Sequence, residues 1–136
     1  MAEPDRKIIS RVSNENDKDI KIVHFMLCVS ILVPIFAWLG ICRPNESAGI
    51  WFQRSGSLVV CFSLYAEIIL LRIRDRNRPF SNKGKTYVGL ANEGVLRNIY
   101  DKKIGCYQKI TNLPLFIGTI IWGYGDLIEN YLSNVI

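Results

Sequence analysis

The sequence predicts an all-α membrane protein, built from three transmembrane helices and a basic cytoplasmic loop that contains a short amphipathic helix. Two observations in its 136 residues predict this fold class. Three stretches of about twenty residues are nearly free of charged side chains, and about twenty residues of helix cross a hydrocarbon core of about 30 Å. Lys and Arg are concentrated in segments 1–21 and 72–109. The pattern indicates an integral membrane protein rather than a soluble globular domain.

The first predicted span is Ile22 to Cys42, 21 residues without a charged side chain. Pro34 lies in its middle and predicts a kink, which a transmembrane helix tolerates when neighbouring groups satisfy the freed carbonyl. The preceding segment carries five acidic and five basic residues, and no small-residue cleavage pattern follows the span. A cleaved signal peptide is therefore not expected.

The second predicted span covers residues 55–73, and the third covers residues 113–132. Glu67 is the one charged side chain well inside the second span. The third span is uncharged until Asp126 and Glu129 near its far end. Aromatic residues near the ends of the spans are typical of membrane interfaces.

The distribution of Lys and Arg predicts the orientation of the spans. Fifteen lie in the N-terminal tail and the long loop, whereas two lie in the short loop and none in the C-terminal tail. Positive residues stay on the cytoplasmic side. Residues 1–21 and 74–112 are therefore expected to be cytoplasmic, and residues 43–54 and 133–136 external, so that the C-terminus is periplasmic.

Four arginines mark the start of the cytoplasmic loop as a candidate interaction site. Arg72, Arg74, Arg76 and Arg78 occur at every second position, which places them on one side of the chain if the strip is extended. Such a strip favours binding to anionic lipid headgroups. A specific polyanion, such as a nucleotide, RNA or a phosphoinositide-like lipid, is the alternative, although few aromatic residues accompany the arginines and no specific nucleic acid is predicted.

Residues 91–111 predict the short amphipathic helix, with Asn92 as its N-cap. The helix is expected either to lie on the cytoplasmic membrane surface or to dock a protein partner. Its apolar and aromatic positions are Leu96, Ile99, Tyr100, Cys106, Tyr107 and Ile110.

Glu67 is a candidate intramembrane polar residue, because an acid inside a span is costly and usually faces protein or water. It is expected either to anchor the helix, for example through an ion pair with Arg74, or to handle protons or cations. Asp126 is a second candidate near the external end. The only histidine, His24, and four cysteines without a CxxC pair form no metal-ligand spacing, so that no metal, cofactor or catalytic residue is predicted.

Small residues in the third span are candidates for helix packing. They are Gly118, Thr119, Gly123 and Gly125, and Thr119 with Gly123 is a small-xxx-small pair. The strip is expected either to pack within the chain or to mediate self-association.

Two segments also carry a resemblance. GTIIWGYGDLI (118–128) and WFQRSGSLVV (51–60) are similar to patterns of small uncharacterised bacterial inner-membrane proteins. The resemblance implies a bacterial inner membrane and no particular activity, and it does not cover the basic loop.

Function is expected to be that of a non-enzymatic accessory or interaction protein that acts through its basic cytoplasmic loop, of immunity, exclusion or regulatory type. The alternative is an oligomeric pore of lysis or phage-defence type. Membrane lipids, a protein partner or further copies of the chain are the expected partners. An enzyme is not expected, because no catalytic motif is present.

Overall fold

A computed structural model describes residues 6–41, 45, 47–77 and 87–135, without the side chains of 87–89 and 133. Three helices account for nearly all of this part of the chain: α1 (Arg6–Trp38), α2 (Ala48–Arg76) and α3 (Tyr87–Val135). The predicted all-α class is confirmed, and Arg78 lies outside the described residues.

Two of the helices, α1 and α2, are long and apolar enough to cross a membrane. Only 22% of the most apolar stretch of α1 and 39% of that of α2 is buried inside the bundle, whereas the core helix of a soluble protein is mostly covered. Within the described residues, α3 does not meet the same criterion. The third predicted span is therefore not supported by composition, because Pro114, three glycines, Tyr124 and Asp126 lower its mean hydropathy.

Several predicted boundaries differ from the helices observed. The N-terminal tail is helical from Arg6, and the predicted external loop includes the first turns of α2. The amphipathic helix and the third span form one helix, which starts before Asn92 and passes through Pro114 without ending. Asn92 is thus a buried position inside α3 rather than a cap. Packing against α2 on both sides of Pro114 explains why the helix continues.

The arginine strip is also different from the prediction. Arg72, Arg74 and Arg76 belong to the last turns of α2, where alternate residues point about 200° apart around the helix axis. The one-sided extended strip is therefore wrong for these three residues.

The α2–α3 interface follows a seven-residue repeat on both helices, as in an antiparallel coiled coil. The repeat positions are Gly49, Gly56, Ser63 and Leu70 on α2 and Ile104, Thr111, Gly118 and Gly125 on α3. All eight are buried, and the glycines among them lie toward the start of α2 and the end of α3.

Glycines bring the two backbones into contact at one end of this interface. A Cβ placed on Gly56 would lie 2.5 Å from the backbone nitrogen of Trp122, and one on Gly125 would lie 2.8 Å from the Cα of Gln53. Larger residues would therefore force α2 and α3 apart.

Helix α1 packs mainly on α2, through two buried clusters. The larger one joins Val23 and Leu27 of α1 to apolar residues of α2 and α3, including Ile69 and Tyr100. The smaller one joins one residue from each helix: Ala37, Phe52 and Ile121. The three helices thus form an up-down-up bundle with a core at each level.

Candidate functional site

A chain of four polar side chains links α2 to α3 around Glu67. The guanidinium Nη2 of Arg74 donates to Oε1 of Gln108 (2.7 Å), and Nε2 of Gln108 donates to Oε1 of Glu67 (2.9 Å). Oγ1 of Thr111 donates to the second oxygen of Glu67 (2.8 Å). We call these four residues the Glu67 chain.

The polarity of the Glu67 chain is set by Arg74. An arginine can only donate hydrogen bonds, so Gln108 must turn its oxygen toward Arg74 and its NH₂ toward Glu67. Both carboxylate oxygens of Glu67 then accept, an arrangement that suits the ionised side chain. The amide of Gln108 therefore lies between a positive and a negative group and connects them.

This geometry differs from the expected direct ion pair between Glu67 and Arg74. The two residues are seven positions apart on the same helix, and Gln108 occupies the space between their charged groups. The sequence indicated which charges share a face of α2, but not that an amide of α3 would bridge them.

Ser63 lies one turn before Glu67 on α2. Its side chain is buried, and its hydroxyl has no hydrogen-bond partner among the described residues. A buried hydroxyl without a partner costs free energy. The Ser63 hydroxyl therefore destabilises the polar face of α2 that contains Glu67.

A second polar cluster closes the end of the bundle where α1 begins. Arg76 forms an ion pair with Asp19 (2.9 Å), lies 3.6 Å from Glu15, and donates to Oδ1 of Asn16 (3.2 Å). Nδ2 of Asn16 donates to Oδ1 of Asn77 (2.8 Å) in the buried interior. Arg76 is therefore used within the bundle.

Tyr100 of α3 makes polar contacts with α1 at the same end of the bundle. Its hydroxyl lies 2.8 Å from the hydroxyl of Ser13 and 3.1 Å from a carboxylate oxygen of Asp17. Burial raises the pKa of Tyr100 above its usual value of 10.0, the hydrogen bond with Ser13 lowers it, and Asp17 raises it further. The phenol stays neutral and ties α3 to α1.

One heptad farther along α3, Tyr107 makes a second contact with α1. Its hydroxyl lies 2.9 Å from Nε2 of His24, and the two rings meet edge to face at 5.0 Å. Two tyrosines seven residues apart on α3 thus make polar contacts with α1.

The three arginines of the predicted set that the structure describes do not form one site. Arg74 contacts α3, Arg76 contacts α1, and Arg72 is exposed. Arg78 lies outside the described residues.

The other predicted residues divide between an interface and the surface. Asp126 is half-buried, lies against Gly49 of α2, and accepts a hydrogen bond from the backbone of Leu127. Gly118 and Gly125 lie in the α2–α3 interface, whereas Thr119 and Gly123 are exposed. Apart from its chain neighbours and the nearby backbone of α3, no described atom comes within 4 Å of a Cβ built on Gly123.

The amphipathic segment buries a different stripe from the one predicted. Leu96 and Tyr100 are buried as expected, but Ile99, Cys106 and Ile110 are exposed. Ile104, absent from the predicted stripe, is buried. The buried stripe follows the contact with α2 and α1.

Sequence reasoning missed Gln108, Thr111, Asn16 and Asn77 as functional or structural polar residues. The seven-residue spacing of Ile104, Thr111, Gly118 and Gly125 was the signal available for Thr111. Among the described residues, no group of three or more His, Cys, Asp or Glu side chains could hold a metal ion.

Comparison with known protein families, curated proteins and solved structures identified no relative of the chain. No family model matches the chain, and no curated protein or solved structure matches it significantly.

Proposed function

We propose that the chain is a non-enzymatic integral protein of a bacterial inner membrane, which acts through the charged cytoplasmic end of its helix bundle on lipid headgroups or on a protein partner. The observation that carries this proposal is the contrast between the two parts of the bundle. One part exposes large apolar side chains on all three helices, and the other is held by ion pairs and exposes cations.

The exposed apolar side chains support the membrane placement. Phe25, Phe116 and Leu127 are 63%, 70% and 61% exposed, and soluble monomers rarely expose large contiguous apolar surfaces. Lipid tails cover such side chains without cost.

The placement of α3 follows from its packing on α2. If α2 crosses the membrane, the part of α3 that touches Gly56 and Gln53 lies at the same depth. Its outer side carries Phe116, Ile120 and Leu127, which are exposed and apolar. We therefore propose that α3 also crosses, with the polar residues that lower its hydropathy turned partly toward α2.

The proposed topology has a cytoplasmic N-terminus and a periplasmic C-terminus. It is supported by the fifteen Lys and Arg residues in the tail and the long loop. The resemblance of segments 51–60 and 118–128 to bacterial inner-membrane proteins supports the choice of membrane.

The cations offered to a partner are not the full set of four arginines. Because Arg74 and Arg76 are engaged within the bundle, Arg72 is the described arginine of this set that faces outward. Exposed lysines of α3, Lys102 and Lys109, extend the positive surface.

The experiment compares tagged wild type with Arg72→Gln and Arg76→Gln after extraction in mild detergent. We expect Arg72→Gln to lose a stoichiometric partner or anionic-vesicle binding with unchanged thermal stability. Arg76→Gln is expected to lower stability, because it leaves Asp19 unpaired. Equal partner and vesicle binding by wild type and Arg72→Gln would contradict the proposal.

An oligomeric pore is the second candidate, and the exposure of Thr119 and Gly123 favours it. The two residues form a small-residue pair on the outer side of α3, where another helix can approach. Depolarisation of cells on induction, abolished by Gly123→Leu, would support the pore. An intact membrane potential would support the accessory role.

A further inference from the structure

An apolar cleft of about 410 Å³ opens between α1 and α3, a volume within the range of ligand sites. Its walls include Leu27 and Pro34 of α1 and Pro114 and Ile117 of α3, and Val59 of α2 also lines it. The exposed apolar residues of its rim show that it is open to the surroundings of the bundle.

The cleft is bounded along the bundle. One turn before Leu27 and Ile110, the contact between His24 and Tyr107 joins α1 to α3. Beyond the other end, Ala37, Phe52 and Ile121 form a cluster that includes all three helices. The gap between α1 and α3 is therefore a pocket rather than a continuous groove.

Both helix prolines lie in the walls of this pocket. Pro34 and Pro114 cannot donate the helix hydrogen bond to the carbonyl four residues earlier, and those carbonyls belong to Ser30 and Ile110. Ser30 and Ile110 also line the pocket. Helices kink most often at proline. Each wall of the pocket therefore lacks one backbone hydrogen bond at the level of the opening and bends most easily there.

The length of the pocket selects its occupant. On α3 it extends from Ile110 to Ile117, about 10 Å of helix at about 1.5 Å per residue. A transmembrane helix of a partner needs a groove about 30 Å long. A segment of a single hydrocarbon chain fits an apolar pocket of this length, and a transmembrane helix does not.

Charge at one end of the pocket selects the headgroup. Lys21 of α1 and Lys109 of α3 are exposed and flank the His24–Tyr107 contact, which closes the end of the pocket toward the proposed cytoplasmic side. Lys21 lies three residues before His24, and Lys109 lies directly before Ile110 of the pocket wall. Juxtamembrane lysines attract anionic lipids. We propose that the pocket between α1 and α3 holds one acyl chain of an anionic phospholipid, with its headgroup near Lys21 and Lys109.

This inference rests on the proposed membrane placement, which is read separately from resistance of the chain to alkaline extraction. The binding experiment uses purified protein in detergent with phosphatidylglycerol or phosphatidylcholine of identical chains, and it measures the midpoint of thermal unfolding. Three variants are compared with wild type: Ile117→Trp, which fills the pocket; Ile120→Trp, exposed outside it; and the double variant Lys21→Gln with Lys109→Gln.

We expect phosphatidylglycerol to raise the midpoint of wild type and of Ile120→Trp more than phosphatidylcholine does. Ile117→Trp is expected to lose this rise, and the double lysine variant is expected to respond equally to both lipids. An equal rise in Ile117→Trp and Ile120→Trp, or an equal response of wild type to both lipids, would overturn the proposal.

A measurement on wild type tests the proposal even if one of the variants does not fold. Native mass spectrometry of the chain extracted from its membrane is expected to show one retained anionic phospholipid per chain. Retention of no phospholipid, by a chain that resists alkaline extraction, would overturn the pocket proposal while leaving the membrane placement intact.

Discussion

The backbones of Gly56 and Gly118 lie in contact across the α2–α3 interface: a Cβ on Gly56 would come 2.7 Å from the Gly118 carbonyl oxygen. Neither helix can shift locally to make room, because the backbones are also in close contact at Gly125. A Cβ built on Gly125 would lie 2.8 Å from the Cα of Gln53. The spacing between α2 and α3 is therefore determined by glycine at these positions.

Gly56→Ala is expected to destabilise the bundle. The added methyl group overpacks the interface, which costs about 1–3 kcal/mol and outweighs the gain of up to about 1 kcal/mol from a better helix former. Gly123→Ala is the matched control, because a Cβ there meets no described atom. Thermal unfolding in detergent should show a lower midpoint for Gly56→Ala and an equal or higher one for Gly123→Ala. The opposite order would show that the two helices are not packed in this way.

Gln108→Leu is expected to destabilise more than Glu67→Gln. Leucine leaves Arg74 and Glu67 without the amide that connects them, at a cost of about 1–3 kcal/mol. Glutamine at position 67 can still accept from Gln108 and contact Thr111, so expression and function should stay close to wild type.

Unfolding midpoints and a functional assay, both measured on Gln108→Leu and Glu67→Gln, test this prediction. Asn112→Leu, an exposed change four residues from Gln108, serves as the control. Loss of function in Glu67→Gln with normal insertion and stability would instead assign Glu67 to proton or cation handling.

Ser63→Ala is expected to leave stability unchanged or to raise it, because it removes a buried hydroxyl without a described partner. Ser55→Ala is the matched change on the same helix, where the buried hydroxyl donates to the Phe52 carbonyl (2.6 Å). Ser55→Ala should be no more stable than Ser63→Ala. A clear loss of stability in Ser63→Ala alone would show that its hydroxyl is in use.

The raised pKa of Tyr100 predicts that the folded chain loses stability at high pH. Its pKa in the folded chain is raised above 10.0, so the unfolded chain loses the phenolic proton first as pH rises, and unfolding becomes more favourable above about pH 10. Below that pH the phenol is neutral in both states and contributes no pH dependence.

Unfolding midpoints of wild type and Tyr100→Phe between pH 8 and 11 test this assignment. The difference between the two proteins should shrink or reverse as the pH rises, because phenylalanine cannot ionise. Tyr124→Phe, a change at an exposed tyrosine, should follow wild type. A constant difference across the range would contradict the raised pKa.

The helical class and two apolar helices were predictable, because long stretches without charge leave few alternatives to a helix in an apolar environment. The helix ends were not: Asn92 and Pro114 are ordinary boundary signals, yet packing on α2 carries α3 through both. The bridge by Gln108 was also beyond the sequence, since a polar residue in an amphipathic segment does not reveal its partner. Gly118 and Gly125 were recognised as small residues, but their neighbours on α2, Gly56 and Gln53, required the antiparallel register.

The proposed topology depends on the number of membrane crossings, because α1 and α2 have the composition of a span and α3 does not. Three crossings place the C-terminus on the opposite side from the loop around Lys85, and two crossings place them on the same side. Alkaline phosphatase, active only outside the cytoplasm, and green fluorescent protein, fluorescent only inside it, are fused in turn after Ile136 and after Lys85. Phosphatase activity after Ile136 together with fluorescence after Lys85 is the predicted result, and fluorescence after Ile136 would contradict the account.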